Sequence, residues 1–299
     1  MGHIVRGLDL MAFAADHDRL RLDYLAEQER LGCVRPEWRF AFVGDDGRVG
    51  ARASYWGLPG GTRPVELDVL VAGDSDPDDI ARLLSASLTD LGITEIDYLP
   101  ARPRGGTRSP ETEPAALEVA GFALLAIQRR LEHTAARPAV PPSPPEVTVR
   151  SVADLGYDVL VPLIAAAHES SGDRATRDRE PAAELATLRQ LEHDPASWHV
   201  GVDDTMSRLL GFVLPARTPE RAAVIAFIGV VPEARGRGLG RHLLARATVS
   251  LRTDPSITRV VADVDAENTP MLRAAAAVGY TDFAARAHYR LRRRPSPVD

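Results

Sequence analysis

The sequence predicts an α/β (α+β) protein in which one plan, strands of a sheet flanked by helices, is written twice along the chain. Three observations carry this. Apolar runs of strand length alternate with stretches of helical periodicity from end to end. The same order of elements recurs in both halves, with Gly121 and Gly279, and Ile93 and Ile257, in matching places. Between the halves, residues 134–146 (TAARPAVPPSPPE) are too rich in Pro to enter a helix or sheet interior and read as a semi-rigid linker. The 299 residues thus divide into 1–133, a linker 134–146, and 147–299.

In the first half, residues 4–6 read as a strand and 8–31 as a helical stretch. Residues 38–43, 49–56 and 65–71 follow as three strands, 77–91 as a helix and 93–99 as a strand. A short helix over 114–119 precedes Gly121-Phe122, which opens a last strand through Leu131. The second half begins with a strand at 147–150 and helices at 154–170 and 181–193, the latter with Pro181 near its start. Residues 197–202, 208–215 and 222–231 are strands of a meander. An amphipathic helix over 239–251, a strand over 257–264, a helix over 269–278 and a strand over 282–292 complete a βααβββαβαβ order. Asn268 is placed to cap the third of these, with Pro270 in its first turn.

The residues that carry chemistry follow strand 222–231. Pro232 stops it, and Arg235-Gly236-Arg237-Gly238-Leu239-Gly240-Arg241 opens the next helix. A strand, a glycine-rich turn and a helix start make an anion cradle. The backbone approaches closely, free N–H groups point at the ligand, and arginines add charge-assisted donors. A mononucleotide P-loop is excluded, because Arg241 stands where it needs Lys and the chain has no Lys at all. A dinucleotide fingerprint fits at Gly236-x-Gly238, has Arg241 in its third place, and would use Asp263 or Asp265 as the ribose-binding acid. The diphosphate of coenzyme A is the third ligand class.

The stretch Val230-Val231-Pro232-x-x-Arg235-Gly236-x-Gly238-x-Gly240 resembles motif A, V-x-P-x-x-[RQ]-G-x-G-x-[GA], of the GNAT acyl-coenzyme A N-acyltransferases. Asn268, opening a helix that ends in Gly279-Tyr280, resembles motif B of the same family, and the resemblance covers roughly residues 147–292. It implies two tandem GNAT-like domains, each a mixed, mostly antiparallel twisted sheet flanked by helices. The first copy is degenerate, as in a mycothiol-synthase-like arrangement. It also implies acetyl-CoA as co-substrate, no metal, and transfer of the acetyl group to a primary amine of a small molecule by direct attack in a ternary complex. A protein or peptide N-acetyltransferase, or a catalytically weak acyl-CoA-binding regulatory module, are the alternatives.

By matching position, the resemblance sets the backbone of Ile228, Gly229 and Val230 alongside the pantetheine arm, with the Val230 N–H polarising the thioester carbonyl. It assigns the diphosphate to Arg235, Gly236, Arg237, Gly238, Leu239, Gly240 and Arg241, and the pantetheine or a neighbouring water to Asn268. Two roles do not transfer. Ala275 stands where many members have a Tyr acid, and strand 222–231 lacks the usual Glu base. His168 and Glu169, in the segment that borders the acceptor in this family, are candidate replacements, His168 because its ordinary pKa lies near neutrality. Tyr280 is a third candidate; His193, His199, His288 and Tyr289 are further options.

In the first half the corresponding turn, Val71-Ala72-Gly73-Asp74-Ser75-Asp76-Pro77-Asp78-Asp79, has no Arg. Its aspartates suit a helix N-terminus but repel a diphosphate. The first domain is therefore expected to support the fold or shape the acceptor cleft, with segments 9–30 and 99–114 able to reach over it.

Composition narrows the setting. No apolar run approaches the ~20 residues that span a bilayer, and the start of the chain lacks a signal-peptide core. Cys33 is the sole cysteine, and no His, Asp or Glu spacing resembles a metal site. A net charge of −6 argues against nucleic-acid binding. The expectation is a cytoplasmic monomer or homodimer with a small-molecule amine acceptor and no membrane or nucleic-acid partner. The absence of Lys beside abundant Ala, Arg, Asp and Pro hints at a GC-rich bacterial source.

Overall fold

The computed structural model of the protein describes residues 2–13, 19–71, 75–103, 112–134, 140–141, 143–144, 146–174, 176–205, 207–218 and 222–292. In chain order the elements are β1 (His3–Arg6), α1 (Leu10–Phe13), α2 (Arg19–Arg30), β2 (Arg39–Val43), β3 (Val49–Trp56) and β4 (Glu66–Val71). Then come α3 (Pro77–Asp90), β5 (Glu95–Tyr98), β6 (Ala101–Pro103), α4 (Thr112–Val119) and β7 (Phe122–His133). The second half has β8 (Val147–Ser151), α5 (Val152–Leu155), α6 (Leu160–His168), α7 (Pro181–Leu188), β9 (His199–Asp203) and β10 (Leu209–Thr218). β11 (Ala222–Val230), α8 (Leu239–Arg252), β12 (Arg259–Asp265), α9 (Thr269–Val278) and β13 (Thr281–Arg292) complete it.

The chain forms two compact units, one of Met1–Leu125 with Arg286–Asp299 and one of Ala126–Ala285. The division thus falls inside β7 and β13 rather than in the Pro-rich segment. Each unit takes in part of the last strand of the other half of the sequence, β13 in the first unit and β7 in the second. In the first unit, β1 to β4 pair antiparallel in sequence order. β4 meets β5 in parallel at Glu66↔Asp97 and Leu67↔Tyr98, and β5 pairs antiparallel with β13 from Tyr289↔Tyr98 to Arg292↔Glu95. Trp38, Phe40, Tyr55, Leu67, Ile80 and Leu84 fill this core, with Tyr289 and Leu291. α3 packs one apolar face on it and starts cleanly, with the Asp76 carboxylate accepting from Asp78 N and proline in the first turn.

In the second unit, β8 to β11 pair antiparallel in sequence order. β11 and β12 run parallel and share only Ala222↔Arg259, Ala223↔Val260 and Val224↔Val261. β12 then pairs antiparallel with β7, from Val260↔His133 to Asp265↔Gln128. Helices cover both faces. A Cβ on Gly229 would meet Ala167 of α6, and one on Gly201 would meet Leu239 of α8. Gly229 and Val230 are neighbours on β11, and Gly201 reaches Val230 through their shared partner Gly211, so the two helices lie on opposite faces. The observed architecture is the mixed, mostly antiparallel sheet flanked by helices that the resemblance implies.

Several boundaries move for local reasons. The helix expected over 154–170 is interrupted at Gly156, whose φ of +82° ends α5, and Tyr157–Val159 form a 3-10 turn before α6. α7 stops at Leu188, short of residue 193. β6 was not expected. Residues 14–18, 72–74 and 104–111 lie outside the described residues, and with them parts of the two segments expected to overhang the cleft and of the acidic turn.

Candidate active site

The parting of β11 from β12 makes the site. Beyond Val224, Ile225 and Phe227–Val230 keep their β10 partners across a register shift at Ala226, but among the described residues they have no partner on the β12 side. Val231 N donates to Leu210 O at 3.0 Å. The ladder alternation therefore turns the backbone groups of Gly229 toward β10 and those of Ile228 and Val230 toward the gap. A strand edge with open N–H groups is a template for an extended chain bearing amides. Gly229 is required for packing: a Cβ there would lie 2.7 Å from the Phe212 ring and 2.8 Å from Ala167 Cβ.

The turn after β11 is built for an anion. Gly236 and Gly238 have φ of +74° and +86°, a region costly for other residues. No side chain caps α8, so the first-turn N–H groups of Leu239, Gly240 and Arg241 stay available. The side chains of Arg237 and Arg241 lie exposed beside them, with no acceptor among the described residues. A phosphate donor set of backbone N–H groups and two free guanidinium groups fits a diphosphate.

Arg235 is placed differently from the expectation. Its guanidinium faces inward and donates to four carbonyls, Nε to Val230 O at 3.0 Å, Nη1 to Ser170 O at 3.1 Å, and Nη2 to Ala167 O at 3.0 Å and Glu169 O at 2.7 Å. It caps the C-terminus of α6, where a cation offsets the helix dipole, and ties that end to the last residue of β11. Its side chain is used up on the protein.

The proton-transfer candidates separate. His168 ends α6, is 8% exposed, and lies 5.7 Å from the Phe227 ring of β11. Its Nε2 has no hydrogen-bond partner among the described residues. Burial lowers its pKa, against the opposing pull of the Glu184 and Asp173 carboxylates. The shift favours the neutral imidazole, with one ring nitrogen free to accept a proton, the form a base needs. Glu169 follows it with an exposed side chain.

Tyr280 is not at the gap. It is buried in the core beneath α8, where its hydroxyl is 2.7 Å from Thr248 Oγ1 and its ring tilts against His133. Burial pushes its pKa above the usual phenol range, which makes it a weaker acid. The αL turn at Gly279 sends this residue inward. Phe at 280 is expected to cost about 1 kcal/mol of stability for the lost hydrogen bond and to leave acetyl-CoA binding unchanged. Urea denaturation beside calorimetry checks both.

The other options also serve packing. His193 is 2.9 Å from the Tyr157 hydroxyl and stacks on Trp198 at 4.2 Å. His199 is buried, which pushes its pKa down to about 4. His288 and Tyr289 belong to the interior of the first unit. Ala275 is fully buried on α9.

Asn268 caps α9, its Oδ1 accepting from Met271 N at 3.2 Å. Its side chain also meets the segment after α6, for a Cβ on Gly172 would lie 3.2 Å from Asn268 Cγ. Beside it Arg174 grips Asp265, a contact that sequence reasoning missed. Asp265 enters the sequence reading only as a ribose-binding acid, and nothing in the spacing joins a loop after one helix to the end of a strand far along the chain.

Residues 164–280 match the model of the Acetyltransferase (GNAT) family. A mycothiol acetyltransferase of Actinosynnema mirum is 29% identical over 160 residues, 52% of this chain and 51% of the relative, so the match spans about half the length of each. A GCN5-related N-acetyltransferase from Sphaerobacter thermophilus superposes with a TM-score of 0.60 at 18% identity, over 94% of this chain and 87% of that one. A tandem GNAT protein from the clavulanic acid biosynthesis pathway covers 99% of this chain and 100% of its own, with a TM-score of 0.56 at 17% identity. Among the described residues no helix is long and apolar enough to cross a membrane. The open edge of β11 and the uncapped glycine turn that follows it both lie within residues 164–280, the stretch that matches the Acetyltransferase (GNAT) family model.

Proposed function

We propose that the second unit is an acetyl-CoA-dependent N-acetyltransferase that moves an acetyl group to a primary amine of a small molecule by direct attack in a ternary complex. The observation that carries this is the unpaired edge Ile225–Val230 leading directly into the uncapped start of α8. The acyl donor supplies an activated thioester. Ile228 and Val230 offer N–H groups to the pantetheine arm, and the Val230 N–H polarises the thioester carbonyl where negative charge develops. Gly236, Gly238, Leu239, Gly240 and Arg241 give backbone donors to the diphosphate, with the Arg237 and Arg241 side chains beside them. Asn268 and Gly229 shape the gap rather than bind across it.

As the amine nitrogen bonds to the carbonyl carbon, the C–S bond breaks and the thiolate leaves with the electron pair. The incoming group attacks as the free amine, oriented by Glu169; the proton that its nitrogen sheds on forming the amide passes to neutral His168, directly or through water. A thiol pKa near ~8.5 makes the thiolate a fair leaving group without a side-chain acid at Ala275. The likeness to a mycothiol acetyltransferase over half of each chain supports a small-molecule acceptor.

Calorimetric titration with acetyl-CoA tests the reading. One site per chain is expected, weakened about tenfold or more in an Arg237→Ala, Arg241→Ala variant, since each charge-assisted contact contributes about 1.5–3 kcal/mol before solvent screening. Thiol release with a panel of primary amines then follows. No binding at millimolar ligand removes the proposal; two sites per chain would give the first unit a ligand as well.

A further inference from the structure

The segment after α6 is fastened at both ends. At one end Arg235 holds the carbonyls of Ala167, Glu169 and Ser170 to the tip of β11. At the other, Arg174 holds the tip of β12. Its Nε donates to Asp265 Oδ2 at 3.0 Å, its Nη2 to Oδ1 at 3.3 Å, and its backbone N to Oδ2 at 3.4 Å. Residues 169–174 therefore run from one lip of the sheet gap to the other, on the α6 face. Midway, Gly172 sits so close to Asn268 that a side chain would press on its amide.

The Arg174–Asp265 pair is more than a surface contact. The Asp265 side chain is 0% exposed against 37% for Arg174. A buried carboxylate must be paired and hydrogen-bonded to stay ionised. Asp265 meets that demand through Arg174 and through Glu267 N, which donates to Oδ1 at 2.9 Å. Glu267 adds an exposed second carboxylate, 3.1 Å from Arg174 Nη1. One buried group thus fixes both the turn into α9 and the far end of the segment.

We propose that the Arg174–Asp265 pair is a latch that holds residues 169–174 across the mouth of the acyl site, admitting small amines and keeping bulk water and peptide-sized acceptors from the thioester. The inference rests on the acetyl-transfer reading above. Arg174 acts here as a specificity-determining and positioning residue and touches neither the thioester nor the diphosphate. A latched strap leaves the β11 edge and the α8 start unchanged, so it controls access without contributing to donor affinity.

The test uses the full chain as wild type, Arg174→Gln, Arg174→Lys and Asp265→Asn, with Arg177→Gln as an exposed control. Three quantities are read: acetyl-CoA affinity by calorimetry, thiol release from acetyl-CoA with no amine added, and hydrogen exchange of the peptide spanning 169–180. In the amine-free reaction a water oxygen bonds to the carbonyl carbon, the C–S bond breaks, and acetate and free coenzyme A are released. Arg174→Gln is expected to leave affinity within about twofold, to raise amine-free thiol release about fivefold or more as water gains access, and to speed exchange of 169–180. Arg174→Lys restores part of each effect, and Arg177→Gln matches wild type. Asp265→Asn is the more drastic change; if it fails to fold, Arg174→Gln at the partly exposed partner still decides. Intact donor binding with unchanged thiol release and exchange in Arg174→Gln overturns the latch alone. A wild-type protein that binds no acetyl-CoA overturns the acetyl-transfer reading, and the access role of the latch with it.

Discussion

Deleting residues 286–299 is expected to unfold the first unit, although the cut lies at the opposite end of the chain from nearly all of that unit's sequence. Ala287, Tyr289 and Leu291 are each buried in its core. Full burial of side chains the size of Leu or Tyr contributes roughly 1.5–3 kcal/mol each. The loss also strips Asp97 of Arg290, which donates to it from Nε at 2.6 Å and from Nη2 at 3.1 Å with both residues buried. Stranding one member of a buried ion pair costs about 3–5 kcal/mol. Among the described residues, the register pairs that would still hold β5 in the sheet are its two with β4. Together these losses approach the ~5–15 kcal/mol that separates a folded domain from its unfolded state.

The same reasoning applies to a fragment starting at residue 134. It would lack the stretch of β7 that lies against β12 and the ion pair of Arg130 with Asp263. Circular dichroism and urea titration of both truncations are the measurements. A cooperative, native-like transition in either one would mean that the exchanged strands are accessory. If both fail, the duplicated halves of the sequence are not independent folding units, whatever their ancestry.

The sequence made the repeat legible because period is local. β3 spans Val49–Trp56, as its alternation predicts, and α9 spans Thr269–Val278 between its Asn cap and its glycine. The ends of elements set by tertiary contact were less legible. Gly156 splits a helix that periodicity alone would continue. The exchange of β7 and β13 between units was invisible, since a strand's pattern tells how it is buried and not which sheet accepts it. At the candidate site, positive-φ glycines and an uncapped helix follow from residue identity alone. The inward aim of Arg235, the burial of Tyr280 and the Arg174–Asp265 pair depend on residues far apart in sequence, and no spacing rule reaches them.

Arg235→Ala is expected to lower stability by about 2–4 kcal/mol while weakening acetyl-CoA less than the Arg237→Ala, Arg241→Ala variant does. Four carbonyls lose a charged donor. Two of these bonds, to Val230 O and Ala167 O, are part-buried, and there the lost partner is poorly replaced by water; the exposed pair contributes less. The resembled motif accepts Arg or Gln at this position. A diphosphate-binding cation would not tolerate that exchange, but a donor to backbone carbonyls would, because a Gln amide can still give two N–H bonds. Arg235→Gln should therefore recover much of the stability lost in Arg235→Ala without restoring a positive charge. The two roles separate cleanly in urea denaturation read beside calorimetry. If Arg235→Ala instead keeps full stability and loses donor affinity as deeply as the double variant, the guanidinium turns outward to the diphosphate when acetyl-CoA binds. In that case the carboxyl end of α6 would be released at the moment the donor arrives, and donor binding would itself loosen the segment that borders the acceptor.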